Sequence, residues 1–139
     1  MEEIVVSFPG GKRVDATVGS FVVRTDQPIS LGGGGSAIAP FDLFLASLAT
    51  CAGLYVVAFC QARDIPVDGI SLVQTVESSA DTKLPRVVHQ VLRLPRSFPE
   101  KYRAAIVRAA EGCKVKKAIA VAPNVEVTLS LADAAAAAA

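Results

Sequence analysis

The sequence predicts an α+β domain with the element order βββ-α-ββ-α-β. Two observations carry this prediction. Runs of alternating apolar and polar residues flank a long uncharged stretch from Leu43 to Cys60, and a second helical pattern lies near the C-terminal end. The 139 residues are enough for one domain. We expect residues 1–133 to form this domain, because the six alanines at 134–139 show no pattern that predicts packing against it.

Three short strands are predicted before the long helix, because apolar residues occupy alternate positions there. These alternating residues are Ile4, Val6 and Phe8, then Val14 and Ala16, then Phe21 and Val23. Gly10-Gly11 and Gly19-Ser20 provide the turns between the strands. The glycine run at 32–35 lacks the lysine and the following serine or threonine of a phosphate-binding loop. We interpret this run as a flexible lid or linker.

The central helix is predicted to run from Pro40 to about Arg63. Proline suits the first turn of a helix, where its missing N–H would have no partner, and Pro66 ends the helical pattern. The stretch is long and apolar enough to cross a membrane. However, Asp42 lies next to it, small residues dilute its hydrophobicity, and strand patterns lie on both sides. We therefore interpret it as the centre of a protein core and expect no contact with a membrane.

Two longer strands and a second helix are predicted after the central helix. The strand patterns run through 70–76 and 86–94, and the second helical pattern begins at Pro99-Glu100 and ends at Gly112, a residue type that often follows a helix. Cys113 comes directly after this glycine, and a short helical stretch follows at 114–120. The last predicted strand has alternating apolar residues at Val125, Val127, Leu129 and Leu131.

The composition limits the possible functions and the location of the protein. The net charge is +1, from 14 basic and 13 acidic residues that are interspersed along the chain, so nothing indicates nucleic-acid binding. The hydrophobic content of 52% is high for a monomer and indicates a surface buried between subunits. The first residues carry acids where a secretory signal would carry bases, which predicts a cytoplasmic location. In the cytoplasm, three cysteines favour catalysis or packing over structural disulfides.

Two segments with a cysteine resemble motifs of a known superfamily. The segment from Pro40 to Cys51, PFDLFLASLATC, is similar to the helix motif of osmotically inducible protein C and organic hydroperoxide resistance protein (OsmC/Ohr). The segment EGCKV around Cys113 resembles the second-cysteine motif of that superfamily, and the loop from Thr25 to Pro28 is also typical of it. With the predicted order of elements, the resemblance extends over nearly the whole chain.

The resemblance implies an intertwined homodimer that reduces organic hydroperoxides. In that chemistry Cys51 would attack the peroxide as a thiolate and become a sulfenic acid, and Cys113 would condense with it to a disulfide. An external dithiol would then reduce the disulfide. The resemblance implies no metal and no organic cofactor.

The superfamily's peroxidases stabilise the thiolate with an arginine that is held by a glutamate. The candidates for this arginine are Arg13 and Arg24, since the glycine loop before Pro40 contains none. Phe41 occupies the position of the glutamate, and the acidic residue is Asp42, as in less characterised branches. Nine residues of helix, or about 900°, separate Asp42 from Cys51, so the two are predicted to lie on opposite faces.

The remaining candidates are interpreted as structural residues. Cys60 also lies nine residues from Cys51 and is predicted to be a packing residue. His89 is the single histidine and has no ligand at metal-binding spacing, so we predict neither a zinc site nor a catalytic cysteine–histidine pair. A second functional hypothesis stays open. In it, the protein is a non-enzymatic dimer that binds a small apolar ligand or another protein, and its cysteines serve packing.

Overall fold

A computed structural model describes residues 3–131, so the alanines at 134–139 lie outside the described residues. Strands and helices follow the predicted order as far as the second helix. The strands are β1 (Ile4–Gly10), β2 (Arg13–Val18), β3 (Phe21–Thr25), β4 (Ser71–Ser78) and β5 (Pro85–Arg93). The helices are α1 (Pro40–Gln61), α2 (Arg103–Glu111) and α3 (Lys114–Ala120).

The predicted α+β fold class is confirmed. The strands form two antiparallel sheets, one of order β1-β2-β3 and the other of β4 and β5. In the second sheet Gln74 lies directly opposite Gln90. This second sheet, α2 and α3 pack around α1, and the two clusters of buried apolar residues draw their members from these elements and from the loops next to them.

The prediction of a last strand is wrong for the described residues. Residues 122–131 form no strand, and Val125, Val127, Leu129 and Leu131 are 78%, 92%, 86% and 90% exposed. Alternation predicts a strand only where a second strand is available to pair the backbone N–H and C=O groups. Between residues 3 and 131 no such partner faces this segment.

Helix α1 begins at Pro40, as predicted, with Ala39 in extended conformation before it. It ends two residues earlier than predicted, at Gln61. One face of the helix is buried, through Leu48, Ala52, Val56, Phe59 and Cys60. The residues recur at intervals of three and four, the spacing that forms one apolar face.

The opposite face of α1 is open in the described chain. Leu54 lies there and retains 63% of its accessible surface, and Phe41 and Phe44 are exposed nearer the N-terminal end of the helix. By length and apolar composition alone, α1 could also cross a membrane. The buried face nevertheless packs against both core clusters, which is the arrangement of a core helix.

Cys60 lies in a different core cluster from Cys51 and Cys113. Cys60 lies with Val56, Phe59 and Ile106 in the first cluster, whereas Cys113 lies with Leu48 and Ala52 in the second. Cys60 is fully buried, and this burial raises the pKa of its thiol. Its position agrees with the predicted packing role.

The glycine run at 32–35 is folded tightly around a buried carboxylate, which corrects its interpretation as a flexible lid. Asp26 accepts hydrogen bonds from the hydroxyl and the backbone N–H of Ser36, at 2.6 and 3.1 Å, and from the backbone N–H groups of Gln27 and Gly34, at 2.7 and 3.2 Å. These donors, the Ser36 hydroxyl first, lower the pKa of Asp26 to about 2. A Cβ at Gly33 would lie 1.9 Å from the carbonyl oxygen of Gln27, so the loop depends on that glycine.

Candidate functional site

The structure places Cys51 and Cys113 in the same apolar cluster. Cys51 is half-buried in the middle of α1, and Cys113 is 1% exposed at the junction of α2 and α3. Both pack with Leu48 and Ala52, and Tyr55 lies one helical turn beyond Cys51. Sixty-two residues of chain separate the two cysteines (113 − 51), so only the packing of α2 and α3 against α1 brings them together.

Cys113 is held in place by its own role in the backbone. It is the N-cap of α3, in extended conformation, and its sulfur accepts the backbone N–H of Lys116 at 3.3 Å. The preceding Gly112 ends α2. A Cβ at Gly112 would lie 3.3 Å from the carbonyl oxygen of Ala109 and 3.9 Å from the ring of Tyr55. The absence of a side chain therefore relieves crowding with the carbonyl oxygen of Ala109 at the end of α2, whereas the distance to Tyr55 is an ordinary contact.

The surroundings of Cys51 favour its thiolate. The backbone N–H of Val115 has the largest effect in lowering the pKa of Cys51, and burial opposes it. The Cys113 thiol, the backbone N–H of Lys114 and the positive charge of Lys114 lower this pKa further. A thiolate is the nucleophilic form of cysteine, so Cys51 has the electrostatic setting of a reactive thiol.

Lys114 is the cation that the sequence-based reasoning missed at this site. Lys114 follows Cys113 directly in the sequence, but sequence position alone does not show what the short helix at 114–120 packs against. The packing of α3 against α1 brings Lys114 to Cys51. A spacing argument within one helix could not have found it.

The predicted arginines and the acidic residue lie elsewhere in the described chain. Arg13 donates to the carbonyl oxygens of Gly10 and Pro9 at 3.4 and 3.2 Å, at the turn between β1 and β2. Arg24 is exposed on β3, opposite Asp15 in the register of the sheet. Asp42 is exposed in the first turn of α1, where a negative charge stabilises the helix. Among residues 3–131, neither arginine nor Asp42 belongs to the cluster around Cys51.

A groove of about 560 Å³ adjoins the cysteine cluster. Leu48 lines the groove and also packs in the cluster with Cys113, so the groove and the cysteine cluster share a wall. The lining is mainly apolar, with three polar residues, Gln90, Glu111 and Lys116. An apolar groove with few polar groups is the usual form of a site for a small organic molecule.

His89 lies outside this site. Its Nε2 is 2.8 Å from Oε1 of Glu77 on the neighbouring strand, and both side chains are exposed. Cross-strand pairs of this kind belong to the surface of a sheet. The structural interpretation of His89 therefore agrees with its position.

The fold and the pair of cysteines define a class of small α+β proteins with a thiol site on the central helix. The family described as OsmC-like protein matches residues 33–129, and the chain belongs to this family. OsmC-like proteins are generally soluble and commonly homodimers. The match includes both cysteines and the whole of α1.

Solved structures have the same fold. A proposed osmotic stress induced and detoxification response protein from Psychrobacter arcticus is 25% identical, with a TM-score of 0.73 over 85% of this chain and 88% of that one. An organic hydroperoxide resistance protein from Legionella pneumophila is 22% identical, with a TM-score of 0.55 over 86% and 90% of the two chains.

A proposed organic hydroperoxide resistance protein from Vibrio cholerae, with captopril bound in one of its active sites, is 16% identical. Its TM-score is 0.54, over 89% of this chain and 87% of that one. A search of the curated proteins found no match. The names of two of these relatives, from Legionella pneumophila and Vibrio cholerae, refer to organic hydroperoxide resistance.

Proposed function

We propose that this protein reduces organic hydroperoxides through Cys51 and Cys113. The observation that carries the proposal is that Cys51 lies in one cluster with Cys113, in a setting that lowers the pKa of the Cys51 thiol. The attacking cysteine must be a thiolate, and the resolving cysteine must be near enough to form a disulfide. The names of the relatives from Legionella pneumophila and Vibrio cholerae support the choice of organic hydroperoxides.

The reaction begins with the Cys51 thiolate. Its sulfur attacks one peroxide oxygen and the O–O bond breaks; the other oxygen leaves as an alcohol after it takes up a proton, and Cys51 becomes a sulfenic acid. The Cys113 thiol then attacks the sulfenic sulfur, which forms the disulfide and releases water. An external dithiol returns both cysteines to the reduced state. The scheme requires neither a metal nor an organic cofactor.

Lys114 is assigned the role of the cation that favours the Cys51 thiolate, because its positive charge lowers the pKa of that thiol. Arg13 and Arg24 are proposed to enter the site only where the first sheet of a second subunit packs over it, since in one chain both lie on the first sheet, outside the cysteine cluster. Asp42 is proposed to stabilise the N-terminal turn of α1 and to make no contact with the peroxide.

We propose that the working unit is a homodimer in which a second copy covers α1. The open face of α1 carries exposed Leu54, Phe41 and Phe44 are exposed near the start of the helix, and the β1-β2-β3 sheet exposes Phe8 and Phe21. Apolar patches of this extent on a soluble protein mark an interface. The half-buried Cys51 lies on α1 between Phe44 and Leu54, so a partner on this face would shield the thiol from water. We place this dimer in the cytoplasm, where an external dithiol is available.

A second function is favoured by the groove beside the cysteines. Its volume of about 560 Å³ and its apolar lining suit a small apolar ligand, and the protein would then be a binding protein with structural cysteines. The two functions differ in one property. Only the peroxidase requires chemistry at Cys51.

The test is intact-mass analysis of the reduced protein after one equivalent of cumene hydroperoxide, followed by peptide mapping. The proposal predicts rapid loss of two hydrogens and a disulfide that joins Cys51 and Cys113. The Cys60→Ser variant should behave as the parent, because Cys60 lies in a different cluster. A Cys51→Ser variant that consumes the hydroperoxide as fast as the parent would disprove the proposal and favour the binding protein.

A further inference from the structure

Two glutamines form a short chain of hydrogen bonds between the second sheet and α1. Gln74 on β4 donates through Nε2 to the carbonyl oxygen of Leu45 at 2.9 Å. Gln90 on β5 donates through Nε2 to Oε1 of Gln74 at 2.9 Å, and the same nitrogen lies 3.5 Å from the carbonyl oxygen of Leu48. The two side chains lie directly opposite each other in the sheet, and both are partly buried.

The chemistry of these groups fixes the direction of each hydrogen bond in the series. A helix carbonyl can only accept, and its second lone pair is free when the first is bonded within the helix, so Gln74 must turn its NH₂ group toward Leu45. The amide oxygen of Gln74 is then left to accept from Gln90. Every polar side-chain atom that is buried in residues 3–131 has a hydrogen-bond partner, so the network is complete where it is buried.

The glutamine pair lies next to the cysteine cluster. Leu72 and Val88 occupy the same face of the sheet, two residues before each glutamine, and both pack against the cluster that contains Cys113. On α1, the Leu48 carbonyl lies three residues before Cys51, which is about 4.5 Å along the helix axis. The hydrogen bonds from Gln74 and Gln90 therefore anchor the helical turn that precedes Cys51.

We propose that Gln74 and Gln90 are positioning residues that set how α1 sits on the sheet and thereby place Cys51 in the cluster with Cys113 and Val115. The sheet residues that pack on the cluster around α1, Leu72 and Val88, are apolar, and apolar contacts have no preferred direction. Directed hydrogen bonds to two successive turns of α1 exclude a slide or rotation of the helix. This inference rests on the proposed function only where it concerns catalysis. The effect of the glutamines on the position and thiol pKa of Cys51 does not require peroxidase activity.

The test uses methionine, which matches glutamine in length but cannot hydrogen-bond to a carbonyl. In the double variant Gln74→Met with Gln90→Met, both partners of the central bond are removed together, which leaves no unpaired amide and preserves packing volume. The single variant Gln74→Met removes the bond to Leu45 and serves as a second test if the double variant does not fold. Gln61→Met is the matched control, because Gln61 is exposed at the end of α1.

Two quantities are measured for each folded variant: the rate of Cys51 alkylation by iodoacetamide as a function of pH, and the urea midpoint of unfolding. The proposal predicts that Cys51 alkylation at neutral pH falls by about tenfold, the change that one unit of thiol pKa brings. It also predicts that the pH profile moves to higher pH. The Gln61→Met variant should retain the parent's rate.

The two readouts separate positioning from mere stabilisation. If the glutamines only stabilise the fold, the urea midpoint falls while the pH profile of Cys51 in the folded protein stays that of the parent, and the proposal is overturned. If the parent does not reduce cumene hydroperoxide but the methionine variants still shift the Cys51 profile, the proposed function fails and the positioning role stands.

Discussion

The Cys113 sulfur accepts the backbone N–H of Lys116 at 3.3 Å while it packs in the same cluster as Cys51. One thiol therefore has two roles, as the cap of α3 and as the neighbour of the nucleophile. Helix α3 has seven residues and no fully buried side chain, so its first turn depends on this cap more than a long helix would.

The two roles of Cys113 can be separated by substitution. Serine retains a side-chain acceptor for the Lys116 N–H, whereas alanine does not. Because an N-cap contributes about 1 kcal/mol, hydrogen exchange at the Lys116 amide should be about fivefold faster in Cys113→Ala than in Cys113→Ser. Amide exchange measured by NMR would show this difference. Equal exchange in the two variants would mean that the sulfur contact does not stabilise α3.

Removal of the Lys114 charge should slow the reaction of Cys51. The charge lowers the pKa of the Cys51 thiol, so its loss raises that pKa and reduces the thiolate present at neutral pH. For an interaction with a solvent-exposed charge, of about 0.2–1 kcal/mol, the alkylation rate of Lys114→Met should fall by up to about fivefold. The rate of Cys51 labelling by iodoacetamide, recorded as a function of pH, measures this change.

The control for this prediction is Lys117→Met, one turn along α3. Lys117 is exposed and is not among the groups that lower the pKa of Cys51. Its variant should label at the parent's rate. Equal slowing in both variants would indicate a general effect of net charge and not a local one.

Asp26 should make the stability of the protein depend on pH in the acid range. Its pKa is lowered from 3.8 to about 2 in the folded chain, so the unfolded state binds a proton first as the pH falls. The stabilisation is fully present above about pH 4 and is lost as the pH falls through about 2. Urea unfolding of the parent and of Asp26→Asn should therefore differ most near neutral pH and converge toward pH 2.

Asp81→Asn is a suitable control for the acid range, because Asp81 is exposed in the loop between β4 and β5. This variant should follow the parent at every pH. If the difference between parent and Asp26→Asn were the same at pH 7 and at pH 3, the carboxylate of Asp26 would not be the source of the acid sensitivity.

A charge on the open face of α1 should dissociate the proposed dimer. Leu54 is 63% exposed in one chain, and the Leu54→Arg variant would bury an unpaired charge in the interface. The expected cost is about 3 kcal/mol, or about a hundredfold in Kd. Sedimentation equilibrium measures this change. The variant Ala80→Arg, in the exposed loop between β4 and β5, should leave the association unchanged. A Leu54→Arg protein that associates like the parent would place the interface elsewhere.

Much of the fold was predictable because the signals are local. Pro40 predicts the start of α1, and the alternation in the first and second sheets predicts β1 to β5. The last strand was predicted from the same kind of alternation and is not formed in residues 3–131, because a strand requires a partner that a local pattern does not contain. The glycine loop was misinterpreted for a related reason: Asp26 lies eight residues before Gly34, and nothing in the glycine run itself indicates a bound carboxylate.

The candidate site was predictable in its cysteines but not in their surroundings. The two motifs identified Cys51 and Cys113, since the resemblance is carried by those residues. The expected cation was sought among arginines, whereas the positive charge that lowers the pKa of Cys51 belongs to Lys114. The glutamine pair lies in two strands and acts on a helix far away in sequence, so only the packed structure reveals it.

The burial of Cys60 in a separate cluster gives the protein a built-in reporter of its own opening. Its thiol becomes accessible to a reagent only when the core around Val56 and Ile106 separates, whereas Cys51 is accessible in the closed state. Labelling of the two cysteines in one sample therefore reports two properties at once. The slow labelling of Cys60 measures the free energy of opening of the core, and the fast labelling of Cys51 measures the reactivity of the site.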